Sequence, residues 1–226
     1  LMQHYYQDDH VTLYHGDCRE ITEWLAGDVM VTDPPYGIRW KPPGKGIGNG
    51  NHGPAIAGDQ TTETRDAALL LWGDRPWLIF GSLRAPMPAG WKQALVFHKD
   101  CHNAGLVGVR RPWRNNWEPV FVGGRWPDQV PRLDAVVRTH ELAATGYSGY
   151  VTRAGHPHAK PLDVMRQLID ACPPGVVVDP FAGSGSTLRA AKDLGRKAIG
   201  VELDERYCEI AAERLGQEVL DFGGVA

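Results

Sequence analysis

The stretch Val176-Val177-Val178-Asp179-Pro180-Phe181-Ala182-Gly183-Ser184-Gly185-Ser186-Thr187 decides the fold. Three valines form a short apolar run that suits a strand covered on both faces. Asp179-Pro180 ends the run, and Gly183 and Gly185 let the backbone approach a ligand closely before a helix over Thr187–Leu194. The turn is not a phosphate loop, because no Lys precedes its Ser or Thr, and Leu188 stands where a dinucleotide fingerprint has its last glycine. The next apolar run, Ala198–Val201, ends at Glu202, 23 residues after Asp179. An acid at that place can accept hydrogen bonds from ribose hydroxyls.

Working outward, the same rhythm recurs. Asp28–Thr32 ends at Asp33-Pro34-Pro35, Trp77–Phe80 ends at Gly81-Ser82, and the runs Ala94–His98 and Pro119–Val122 follow. Helical stretches are predicted over Cys18–Leu25, Thr62–Trp72, Pro161–Cys172 and Asp204–Leu215. Strands alternating with helices predict an α/β layered sheet. Two segments break the alternation. Lys41–Gly58, crowded with Gly and Pro, reads as a mobile loop, and Arg125–Gly155 reads as an insert rather than a sheet element. The whole of 1–226 is otherwise one domain.

Composition narrows the class. The 226 residues carry a net charge of −3, with 42 % apolar and 23 % charged residues, which is globular rather than disordered. Cys18, Cys101, Cys172 and Cys208 are scattered, so they form neither a metal-ligand set nor a disulfide framework. No apolar run approaches a membrane span, and the polar stretch Leu1–His10 is no signal peptide, so a cytoplasmic protein is expected.

Asp33-Pro34-Pro35-Tyr36 is the strongest chemical signal. The prolines remove two N–H donors, leaving the Asp33 carboxylate and backbone carbonyls as acceptors beside a flat aromatic ring. That set fits an exocyclic amino group on a planar base. Two acceptors take its hydrogens and pull its lone pair out of conjugation, which makes the nitrogen a better nucleophile. Asp-Pro alone would be read as a strand-ending turn; the full tetrapeptide after a buried run is not. Gly183–Thr187 with Glu202 describes a nucleoside pocket with no required pyrophosphate, which S-adenosylmethionine satisfies. Lys160, at the start of a helix whose dipole disfavours cations, is expected to meet a ligand or a facing carboxylate.

Asp-Pro-Pro-Tyr, Phe-Ala-Gly-Ser-Gly-Ser-Thr, His156-Pro-His-Ala-Lys-Pro161 and Gly16-Asp17-Cys18 together resemble the amino-directed DNA methyltransferases of the β group, in that group's order over residues 16–215. The resemblance implies a Rossmann-like methyltransferase sheet, circularly permuted so that the catalytic half precedes the cofactor half, with S-adenosylmethionine as methyl donor. It implies that Asp33 and the Pro34 carbonyl hold the target amino group, with Pro35 completing the motif and Tyr36 stacking on a flipped base. It assigns to the cofactor Asp17, Cys18, Asp33, Lys160, Pro161, Asp179, Phe181, Ala182, Gly183, Ser184, Gly185, Ser186, Thr187 and Glu202. Trp117–Val122 looks like the strand before the target-recognition region, which makes 125–155 a short recognition insert. No metal is implied.

The expected reaction is methylation of adenine N6 in double-stranded DNA by direct displacement, with no covalent enzyme intermediate. Asp at the first motif position is associated with adenine in this family and Ser with N4-cytosine. Cytosine-N4 methylation is the alternative, followed by an RNA methyltransferase and a non-catalytic DNA-binding relative. Arg39, Arg110, Arg111, Arg114 and Arg125 are the DNA-contact candidates. A homodimer and a cognate restriction enzyme are the further partners considered. The charge divides accordingly: residues 84–166 balance at +6 and the remainder at −9. DNA affinity should therefore fall steeply with added salt while cofactor affinity does not, as parallel titrations would show; equal salt sensitivity would contradict this charge map.

Overall fold

Runs that are apolar at every position need cover on both sides, and three central strands receive it. The computed structural model describes residues 3–39, 57–100, 112–128, 133–139 and 159–217. Among these, nine strands form one sheet: β1 (Tyr6–Gln7), β2 (Val11–His15), β3 (Val29–Thr32), β4 (Trp77–Phe80), β5 (Trp91–Lys99), β6 (Trp117–Gly123), β7 (Val136–Thr139), β8 (Val177–Asp179) and β9 (Ala198–Glu202). Their order is β1-β2-β9-β8-β3-β4-β6-β5-β7. The described helices are α1 (Glu63–Trp72), α2 (Leu162–Asp170), α3 (Ser186–Asp193) and α4 (Glu205–Gly216), with a 3-10 turn at Glu23–Ala26. None of them is long and apolar enough to cross a membrane.

Every residue of β3, β4 and β8 is buried. Successive side chains point to opposite faces. Val29, Val31, Leu78, Phe80 and Val177 share a core with α2, α3 and α4. Met30, Trp77, Ile79 and Val178 share the other with α1 and the 3-10 turn. The result is the expected α/β, Rossmann-like layering.

The sheet departs from the sequence reading in five places. It is mixed: β2, β9, β8, β3 and β4 run parallel, but β6 is antiparallel to both β4 and β5. The run read as Ala94–His98 extends to Trp91–Lys99 and exposes its first four residues, so it is an outer strand rather than a doubly covered one. Cys18–Leu25 is not a helix. Its chain folds back so that the Trp24 indole N–H donates to the Cys18 carbonyl (2.9 Å), and only Glu23–Ala26 is helical. Val136–Thr139, inside the segment read as free of sheet, pairs in parallel with β5. The short edge strand β1 and its neighbour β2 also have no counterpart in the sequence reading.

The smaller core is organised by tryptophan. Trp24 and Trp72 stack at 5.7 Å between ring centroids and 14° between planes. The Arg75 guanidinium lies 3.6 Å from the Trp72 ring centroid and donates to the carbonyls of Leu25 (2.6 Å) and Gly27 (2.9 Å). One arginine thus caps the 3-10 turn and covers the end of α1. Truncation Trp72→Ala removes both the stack and the platform for Arg75. It should destabilise the fold by about 3–5 kcal/mol, measured by chemical denaturation.

Candidate active site

Parallel strands finish at one edge of a sheet, and an antiparallel strand starts there. β2, β9, β8, β3 and β4 end beside one another, and β6, reversed, brings Trp117 and Glu118 to the same edge. β5, antiparallel to β6, delivers Lys99 there. A cavity of about 780 Å³ opens over this edge. Its lining includes Asp17, Cys18, Asp33–Tyr36, Glu118, Lys160, Asp179, Phe181–Ser184, Ser186, Thr187 and Glu202. The structure therefore gathers the predicted catalytic and cofactor residues in one place. Gly185 and Pro161 stand behind the wall: Gly185 lets α3 approach Ala211 of α4, and Pro161 opens α2.

At the catalytic end the charges alternate. Asp33 Oδ1 accepts from the Tyr36 hydroxyl at 2.8 Å, and Asp33 Oδ2 pairs with Lys160 Nζ at 2.8 Å. Lys160 also donates to the Tyr36 oxygen (3.2 Å) and lies 3.4 Å from Glu118 Oε2. Glu118 Oε1 accepts from Lys99. Burial works to lower the Lys160 pKa, but the carboxylates of Asp33 and Glu118 outweigh it and hold it above the ordinary value. Burial likewise opposes charge on Glu118, and Lys160 and Lys99 overcome that and bring its carboxyl down to about 2. Burial beside Asp33 and Glu118 pushes the Tyr36 phenol well up, so it remains a hydrogen-bond donor. The facing carboxylate expected for Lys160 is thus Asp33, joined by Glu118. The Lys160 ammonium is directed to Asp33 and Tyr36.

The cofactor end is built from backbone. Gly183 and Gly185 take φ of 51° and 77°, and the resulting turn directs the Gly183 N–H to Glu202 Oε2 (2.7 Å). Glu202 Oε1 accepts the Asp204 N–H at 2.8 Å. Each carboxylate oxygen keeps a second lone pair for a hydroxyl. Burial raises the Glu202 pKa, against these amides. Ser184 Oγ is shut from solvent and, among the described residues, has no hydrogen-bond partner. An orphaned buried hydroxyl at the start of α3, where backbone N–H groups favour anions, fits a ligand with a carboxylate. Asp17 is engaged by Arg19 (2.5 Å), and burial pushes the Cys18 thiol up to about 12. Asp179 acts as a brace rather than an open acceptor: it is 2 % exposed, and its Oδ1 accepts from Thr32 Oγ1 (2.5 Å) and the Phe181 N–H (3.0 Å).

The DNA-contact candidates fare unevenly. Arg39 is exposed and holds φ of 52°. Its N–H donates to the Asp59 carbonyl (2.8 Å), while Asp59 Oδ1 accepts from Gly37 N–H (2.8 Å), so Asp59 clamps the chain just after Tyr36. Arg114 is exposed near Trp113 and Trp117. Arg125 is displaced from the site. Strand β6 starts at the cavity and carries Arg125 to the opposite edge of the sheet, roughly 20 Å away at the usual rise per residue. There its N–H donates to the Asp74 carbonyl and its guanidinium pairs with Asp74 at 3.4 Å. Arg110, Arg111, His156–His158, most of the loop 41–58 and most of the insert 125–155 lie outside the described residues. Sequence reasoning missed Glu118, Lys99, Asp59 and Arg84, which lines the cavity. An acid immediately before an apolar run, as in Trp117-Glu118-Pro119, was the one available signal.

Comparison with known proteins agrees with this geometry. The family model N6_N4_Mtase, described as DNA methylase, matches residues 113–213. "Putative methylase YubD" of Escherichia coli (strain K12) is 31 % identical over 220 residues, covering 88 % of each chain. Among solved structures, the M1.HpyAVI–SAM complex superposes with a TM-score of 0.63 at 21 % identity, covering 92 % of this chain and 100 % of that one. PvuII DNA methyltransferase, cytosine-N4-specific, gives a TM-score of 0.63 at 14 % identity, covering 96 % and 90 %. The last two likenesses are likenesses of fold.

Asp179 provides a pH test of the site's construction. Burial raises its carboxyl to about 6 despite its hydrogen bonds from Thr187, Thr32 and the Phe181 amide. A folded-state pKa above the unfolded value of about 4 means that the stability it supplies at low pH is lost as pH rises through about 6. Asp179→Asn removes that titration. Its Tm relative to wild type should move in the variant's favour between about pH 4 and 6; a pH-independent difference would contradict the assignment.

Proposed function

The chain belongs to the N6/N4 family of DNA methylases, and on that premise we propose that it transfers a methyl group from S-adenosylmethionine to N6 of adenine in double-stranded DNA. The observation that carries this reading is the Asp33 carboxylate, fixed by Tyr36 and Lys160 at the floor of a cavity whose other end is the glycine turn and Glu202. S-adenosylmethionine supplies, when bound, an electrophilic methyl group. The residues present fit it: Glu202 for the ribose hydroxyls, the turn Gly183–Ser186 with the orphaned Ser184 hydroxyl for the methionine part, and Asp17 and Cys18 at the adenine side.

Asp33 and the Pro34 carbonyl accept hydrogen bonds from the target amino group and localise the nitrogen lone pair. The Asp33 contact also gives the departing proton a path off the nitrogen. Tyr36, held by its hydroxyl, offers its ring to the base. A base in a duplex reaches this floor only when flipped out, at a cost of a few kcal/mol. Arg84 at the mouth and exposed Arg114 supply charge for phosphates, and residues 125–155 are proposed to read the target sequence.

Asp33 favours adenine over cytosine because the resemblance associates Asp with N6 and Ser with N4. Incubation with unmethylated DNA and labelled S-adenosylmethionine, followed by digestion to nucleosides, should yield N6-methyladenine. N4-methylcytosine would transfer the assignment to the alternative, and no incorporation would remove it. Asp33→Ala should lose at least about a hundredfold in kcat, as for deletion of a charge-stabilising group, with unchanged cofactor affinity by calorimetry. Surviving activity would exclude Asp33 from the chemistry.

A further inference from the structure

We propose that Lys160 is a placeholder for the target amino group, and that Glu118 is the positioning residue that takes over its ammonium when the base arrives. The proposal rests on the reading of Asp33 as the acceptor of that amino group. In the structure both Asp33 oxygens are engaged, Oδ1 by the Tyr36 hydroxyl and Oδ2 by Lys160 Nζ, each at 2.8 Å. An incoming amino group donates to the same carboxylate, so it competes with the ammonium that now sits there. A bare carboxylate in so enclosed a place is costly, and Lys160 meets that cost while no base is bound.

The displaced ammonium needs a second acceptor, and one is in place. Glu118 Oε2 is shut from solvent, makes no well-aligned hydrogen bond among the described residues, and already lies within ion-pair distance, 3.4 Å, of Lys160 Nζ. A shift of about 0.5 Å brings that separation to hydrogen-bond length. Glu118 itself is fixed, because Lys99 holds its other oxygen. The rings of Phe80 and Tyr36, with centroids 4.9 and 5.6 Å from Nζ, flank the ammonium and accompany it in either position. Two ammonium groups and two carboxylates thus stay balanced before and after exchange. The arriving amino group is neutral and adds no charge.

The exchange makes the two residues non-additive. With unmethylated plasmid DNA and labelled S-adenosylmethionine, Glu118→Gln should raise the KM for DNA about tenfold, because the ammonium then stays on Asp33. Cofactor Kd should change less than twofold. Adding Lys160→Met to Glu118→Gln removes the occupant and should bring the DNA KM back down. If Lys160 merely holds Asp33 in position, the double variant is worse than either single one, and the proposal fails.

A second readout needs no activity. The lysine Cε resonance of Lys160 in the wild-type protein should shift on titration with 9-methyladenine and less so in Glu118→Gln. A resonance that moves with neither 9-methyladenine nor 1-methylcytosine overturns the exchange. One that moves with 1-methylcytosine alone overturns the adenine reading and leaves the exchange standing. Product nucleosides from the kinetic assay separate the two failures in the same way.

Discussion

One ammonium, Lys160 Nζ, lies between two carboxylates that the chain supplies from distant places: Asp33 after β3 and Glu118 near the start of β6. The rest of the catalytic end follows from that meeting. Without it, two acids and a phenol would face one another at the rim of a hydrophobic core, and one acid would take up a proton. With it, Asp33 has a partner while no base is bound, Tyr36 is held by its hydroxyl, and the mouth of α2 is joined to the central strands. A lysine ahead of a helix is unfavourable as far as the helix dipole is concerned, by a few tenths to about 1 kcal/mol. Two partly buried carboxylates are a much larger local field, and they decide where the side chain goes.

Sheet direction is the second constraint. Had β6 run parallel to β4, its start and Glu118 would lie at the far edge, and its end would bring Arg125 to the cavity. The reversal exchanges them: the acid arrives at the cavity and the arginine leaves it. The same reversal gives Lys99 to Glu118 through the register of β5 on β6. The two antiparallel pairings that a parallel-sheet reading overlooks are therefore the ones that complete the charge network.

Much of this was legible in the sequence where local and tertiary requirements coincide. Val176–Val178 and Trp77–Phe80 are apolar at every position because both faces are covered, and the Gly183–Gly185 turn is glycine because its backbone takes positive φ. Asp33 and Glu202 were legible because each ends such a run, and Tyr36 because it completes the tetrapeptide that Asp33 begins. Glu118 and Lys99 were not, because their role exists only across a strand pairing between residues 19 positions apart. The direction of β6 has no local signature either, so nothing in the sequence shows that Arg125, a DNA-contact candidate, lies away from the cavity beside Asp74. The 3-10 turn at Glu23–Ala26 was misjudged because Trp24 and Leu25 give the spacing of a helix face, while Trp24 in fact turns back to its own upstream carbonyl and into the second core.

The Asp59 clamp has a consequence for how this architecture tolerates change. Its carbonyl and carboxylate bind the backbone at Gly37 and Arg39, so the chain departs from the tetrapeptide and returns to it at a single point. Whatever lies between is tethered at a closed neck, and the entropy of closing such a neck grows only logarithmically with the residues it encloses. Doubling their number costs about 0.6 kcal/mol. The backbone that leaves Tyr36 is therefore held by Asp59 at Gly37 and Arg39. This neck is where the scaffold can be re-tailored to a new nucleic-acid context without rebuilding its chemistry.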